Sequence, residues 1–132
     1  MEYISEKEFR KQPMEVQQVI FEWWRPSKGD LFENDLMGGF GAVAQDNLFN
    51  NGLIPLLSEG QLRKFIEDKT GCIMMVQYDF LDNTYEIYLS SNSDNEEDYG
   101  WIHNLGIDLL QAYWKVACQI ASKEVVEHGQ IK

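Results

Sequence analysis

From Gly71 to Trp114 the chain contains no lysine and no arginine. That segment nevertheless holds eight carboxylates: Asp79, Asp82, Glu86, Asp94, Glu96, Glu97, Asp98 and Asp108. It therefore supplies most of the formal net charge of −11. The few cations lie elsewhere, so a phosphate-tracking surface cannot be built there, because such surfaces work by Lys and Arg displacing counterions. Docking on an anionic membrane surface is disfavoured for the same reason. No apolar run approaches the length that crosses a bilayer. The first six residues, Met1 to Glu6, lack the basic and apolar regions of a secretory signal. Only two cysteines occur, Cys72 and Cys118, both among apolar neighbours. They read as reduced, buried thiols of a cytoplasmic protein rather than as a disulfide.

The catalytic and cofactor signatures are missing as well. A calcium loop starting at Asp94 would place Glu96 and Asp98 at its third and fifth positions. It would then need glycine and glutamate where the chain has Tyr99 and Leu105. Gly39-Phe40-Gly41-Ala42-Val43-Ala44 spells a dinucleotide fingerprint by letters, but Asp35-Leu36-Met37 does not supply the buried strand that must precede one. His103 and His128 have no second ligand at metal spacing. No serine sits in a G-x-S-x-G elbow. Pairing of His103 with Cys72 or Cys118 is the one dyad left open, and both thiols have the apolar surroundings that make cysteine inert. The sequence thus assigns no catalytic, cofactor or metal residue.

What is present describes a folded domain. The 132 residues suit a single domain spanning 1–132, and 44% apolar content with 13% aromatics is too rich for disorder. Ser5 and Glu8 form a capping box, with Ile4 and Phe9 placed as the hydrophobic staple. Pro13 ends this helix and opens a second, whose Val16, Val19, Ile20 and Trp23 share one face. Residues 25–57, rich in glycine and asparagine, read as a long irregular connection of the kind that is functional or mobile. Ser58 and Gln61 repeat the capping grammar ahead of Leu62, Phe65 and Ile66, and Gly71 closes that helix.

Cys72 to Phe80 and Tyr85 to Leu89 then read as a hairpin around the turn at 81–84. Tyr85, Ile87 and Leu89 fall on the dry side and Thr84, Glu86 and Tyr88 on the wet side. A lone hairpin is marginal, so a third strand is expected, with residues 40–56 as its source. The last helix, about Leu105 to Glu127, is apolar around most of its circumference and so reads as the core spine. The expected fold is α+β: about four helices packed around a small antiparallel sheet, with the hairpin near 72–90 and a long C-terminal core helix. Of the tryptophans, Trp24 and Trp101 lie beside polar loops and are the expected exposed ones.

Three stretches resemble small proteins of unassigned activity encoded by bacterial phages and prophages. They are Trp23-Trp24-Arg25-Pro26-Ser27-Lys28-Gly29-Asp30-Leu31, Ile54-Pro55-Leu56-Leu57-Ser58-Glu59-Gly60-Gln61-Leu62 with Phe65-Ile66, and Leu109-Leu110-Gln111-Ala112-Tyr113-Trp114-Lys115-Val116-Ala117. The resemblance implies expression in the cytoplasm of a bacterial host and carries over no catalytic residue.

Together these readings favour a non-enzymatic accessory protein that binds a host or phage protein, itself basic, through an acidic face. Asp82, Glu86, Asp94, Glu96, Glu97, Asp98 and Trp101 are its expected contact residues. A dense one-sign surface selects partners of the opposite sign and speeds their arrival. Direct contact with nucleic acid or membrane is not expected. Three other classes stay open. They are a DNA mimic that blocks a nucleic-acid-binding protein of the host, a homodimer or larger homo-oligomer built on the last helix, and a small enzyme using the 25–57 loop.

Overall fold

The computed structural model describes residues 2–34, 38–45, 52–91 and 100–129. Among these residues, four helices and two three-stranded antiparallel sheets make an α+β fold. The chain divides into two compact units, one built mainly from residues 3–58 and 121–132, the other from 59–120.

In the first unit Ser5 caps α1 (Glu6–Arg10), its side chain accepting from the Glu8 N–H. Ile4 and Phe9, the two staple residues, are both buried. Pro13 stands at the cap of α2 (Met14–Trp23), one position earlier than expected, where its lack of an N–H costs nothing. Val16, Val19 and Ile20 are buried as their spacing requires.

Residues 25–57 are not one irregular connection. They contain β1 (Leu31–Asn34), β2 (Phe40–Ala42) and β3 (Leu53–Pro55), in the order β2-β1-β3. Gly41 lies over the Phe32 ring, where a Cβ would come within 2.9 Å of it. The glycine-rich letters therefore serve an antiparallel pairing of β1 with β2. That is not the strand–helix turn a dinucleotide needs. Trp24, expected to be exposed, is buried, because its indole Nε1 donates to Asp30 Oδ2 at 3.0 Å in the turn that follows α2.

In the second unit α3 (Glu59–Thr70) buries Leu62, Phe65 and Ile66 and packs against β4 (Cys72–Asp79). Gly71, at φ 68°, turns the chain from helix to strand. The hairpin of β4 with β5 (Thr84–Ser91) pairs Asp79 with Thr84 and Cys72 with Ser91. Its turn is held by Asp79, whose Oδ1 accepts from the Leu81 and Asp82 N–H groups at 2.9 and 3.3 Å.

The third strand of this sheet is β6 (Gly100–Ile102), giving the order β4-β5-β6. The expectation that residues 40–56 would supply it is corrected: β2 and β3 belong to the other sheet.

α4 (Leu109–Gly129) starts four residues later than expected. Asn104 and Gly106 both take positive φ and break the helical path. Asp108 then provides the cap, its Oδ1 accepting from the Gln111 N–H at 2.9 Å. The broad apolar surface of α4 is used within the chain, with Leu110, Tyr113, Trp114, Val116, Ala117, Ile120 and Ala121 all buried. Among the described residues, no helix is long and apolar enough to cross a membrane.

Candidate functional site: the outer face of the second sheet

In an antiparallel sheet directly paired residues point to the same side, and successive residues alternate. The register of β4, β5 and β6 therefore assigns every side chain to a face. Cys72, Met74, Ile87 and Leu89 share the buried face. The opposite face carries Ile73, Met75 and Gln77 from β4, Thr84, Glu86 and Tyr88 from β5, and Trp101 from β6. His103, two residues beyond Trp101, continues that row.

This outer face is not the plain wet surface that alternation alone suggests. Ile73, Met75 and Trp101 are 49%, 57% and 40% exposed. The Tyr88 and Trp101 rings, directly opposite in the register, lie 5.0 Å apart. The His103 ring stacks on Trp101 at 6.3 Å. Aromatic pairs across strands add stabilisation beyond the area they bury.

Glu86 is the exception on this face: only 6% exposed, against the expectation that it would be solvated. Two neighbours explain its burial. Gln77, its cross-strand partner, donates Nε2 to Glu86 Oε1 at 3.4 Å, and the His103 ring nitrogen Nδ1 meets Glu86 Oε2. An ionised carboxylate only accepts, so in that form of the pair Nδ1 is the donor. Both carboxylate oxygens are thereby satisfied, which a buried acidic group requires. The His103 side chain remains 58% exposed. The histidine thus has a fixed ring orientation and an outward side.

Thr84 is buried on the same face for a different reason: its Oγ1 accepts from the Gly106 N–H at 2.8 Å, fastening the segment after β6 to the start of β5. At the hairpin tip Phe80 and Leu81 are almost fully exposed. Phe80 rests edge-on against Tyr78, which in turn meets Tyr85.

The residues expected to make an acidic contact face are placed as follows. Trp101 is exposed and central. Asp82 is exposed in the turn. Glu86 is withdrawn into its pair with His103. Asp94, Glu96, Glu97 and Asp98 lie outside the described residues. Sequence reasoning missed His103, which read as isolated. The signal that could have found it is its i,i+2 spacing from Trp101 once β6 is recognised as a strand.

The cysteines do not join this site. Both are free thiols, and burial pushes Cys118 up to about 12. His103 faces a carboxylate rather than either sulfur. Among the described residues, no group of three or more His, Cys, Asp or Glu side chains is arranged to hold a metal ion. Comparison with known families, with characterised proteins and with solved structures found no match for this chain.

Proposed function

We propose that this chain is a non-enzymatic interaction protein that binds a protein segment carrying both basic and apolar side chains on the β4–β6 sheet. One observation carries the reading: exposed apolar surface and one-signed charge coincide on the same element. Five of the nine exposed large apolar side chains among the described residues (Ile73, Met75, Phe80, Leu81 and Trp101) belong to this sheet or its hairpin tip. The segment that forms it holds carboxylates and no lysine or arginine. Clustered exposed apolar groups mark contact surfaces. Aromatic residues such as Trp101 are the usual energetic anchors of such surfaces. The surrounding negative potential then selects a basic partner and repels acidic ones.

In the accessory setting suggested by the phage-like stretches, the partner is a host or phage protein met in the bacterial cytoplasm. Nucleic-acid mimicry has less support. It needs an array of carboxylates free to stand in for phosphates, whereas Asp79 is committed to the turn, Glu86 to His103 and Asp108 to the cap of α4.

Selection of a displayed random-peptide library on the purified protein tests the reading. Enriched peptides should interleave Lys or Arg with large apolar residues. Their binding should weaken as salt rises and fall at least tenfold with Trp101→Ala, while the circular dichroism spectrum is unchanged. Enrichment of acidic peptides, or binding indifferent to Trp101→Ala, overturns it.

A further inference from the structure

The free edge of β4 points to a second interface, independent of the face just described. Tyr85 donates its N–H to Gly106 O and accepts at its carbonyl from the Leu105 N–H, so its backbone faces the β6 side. Backbone direction alternates along a strand. Thr84, Glu86, Tyr88 and Ser90 therefore turn toward β4, and their partners Asp79, Gln77, Met75 and Ile73 turn toward β5. The backbone groups of Cys72, Met74, Val76 and Tyr78 are left pointing away from the sheet.

Two contacts confirm this direction. The Cys72 N–H donates to Thr70 Oγ1, and Met74 O accepts from Arg63 Nη2, both outside the strand ladder. Among the described residues, no strand pairs with this edge. Among the described residues, the Met74, Val76 and Tyr78 N–H groups and the Val76 and Tyr78 carbonyls form an unpaired row.

An unpaired edge of this length is normally blunted by residues of the strand itself (lysine, proline, a bulge or inward charge) or by a covering helix or loop. Here Arg63 of α3 reaches the edge at one point, Met74 O, at 3.5 Å. Within the strand, Cys72 to Tyr78 contains no charged residue, no proline and no glycine. It pairs with β5 without a bulge. The strand is also self-complementary. An antiparallel copy centred on Val76 sets Val76 against Val76 and Met74 against Tyr78, the residues whose backbone groups point outward. It sets Asp79 against Ile73, keeping the two aspartates apart. Because paired residues share a face, this register continues the outer face of one copy into the outer face of the next.

We infer that two copies of this chain pair antiparallel through β4, about a two-fold axis at Val76, to form one continuous six-stranded sheet.

Each copy carries a formal net charge of −11, so the copies repel and salt favours the pairing. Binding of a basic segment to the sheet face responds to salt in the opposite sense, which separates failure of one idea from failure of the other.

Sedimentation analysis over a range of protein concentrations should show a monomer–dimer equilibrium that shifts toward dimer as sodium chloride is raised. Val76→Pro removes an outward N–H and fixes a φ that an edge strand tolerates, and should lower the dimer association constant at least tenfold. A register test stands beside it should that variant misfold. Opposed residues sit about 5.5 Å apart between Cα atoms, within disulfide reach. In a Cys72→Ser background, mild oxidation should therefore link Val76→Cys into a covalent dimer, whereas Tyr78→Cys, opposite Met74, should not link. A single monomeric species at every concentration and salt, or equal crosslinking of the two cysteine variants, overturns the inference.

Discussion

Glu86 and His103 meet across β5 and the end of β6, with the acid buried, the imidazole half in solvent, and Trp101 stacked on the histidine. The pair converts a position that strand alternation assigns to water into a closed part of the surface. It also ties the segment after β6 to the centre of the sheet.

Removal of His103 should therefore cost more than an ordinary surface substitution. His103→Ala leaves the Glu86 carboxylate with Gln77 as its one described partner. Stability should fall by about 1–3 kcal/mol, the cost of an under-satisfied buried acceptor. Glu86→Gln in the same background should recover part of that loss, because a neutral amide is cheaper to bury. Urea unfolding of the single and double variants measures both effects.

Trp24 and Asp30 make a second, structural pair. The Asp30 carboxylate accepts from the Trp24 indole and also from the Ser27 N–H at 2.9 Å. Asp30→Ala should destabilise by about 1–3 kcal/mol. Thermal denaturation measures the loss.

Asp108 governs where α4 begins. Asp108→Ala should cost about 1 kcal/mol, and Asp108→Asn or Asp108→Ser much less, since each keeps an oxygen for the Gln111 N–H. Loss of amide-exchange protection confined to the first turn of α4 is the expected signature.

The thiols give a pH-dependent prediction. Burial raises Cys118 from its ordinary 9.0 to about 12, and Tyr113 is raised as well, with burial the largest cause and Arg63 opposing it. In both cases the folded chain holds a proton that the unfolded chain releases. Their contribution to stability is complete below about pH 9 and is lost as the pH climbs from there toward 12. Midpoints of urea unfolding between pH 8 and 11 should fall, and less steeply for Cys118→Ala. At pH 8 the native protein should react with a thiol reagent far more slowly than the unfolded chain.

Much of the fold was legible because its signals are local. Ser5 with Glu8, Gly71, and the alternation of Tyr85, Ile87 and Leu89 each act within a few residues, and α1, the end of α3 and β5 follow from them. The β1–β3 sheet was not legible. Strands of three or four residues are too short to show alternation, and Gly38 and Gly39 look like loop residues because they are needed for the turn between β1 and β2. α4 was placed too early because Leu105 and Ile107 extend its apolar pattern, while Asp108 decides where it starts.

At the candidate site, Trp101 was identified from its polar surroundings, but its neighbours were not. Glu86 and His103 are seventeen residues apart, and only the pairing of β5 with β6 makes them adjacent. Charge counting finds carboxylates without revealing which are occupied. Asp79 and Asp108 spend theirs on backbone N–H groups, and Glu86 on a ring nitrogen.

The cation-free sheet also has a practical consequence. Strands β4, β5 and β6 contain no primary amine and no trypsin site. Amine-directed immobilisation must therefore anchor the chain outside these strands. Tryptic digestion would release the hairpin, β6 and the first turns of α4 as one uninterrupted peptide from Thr70 to Lys115.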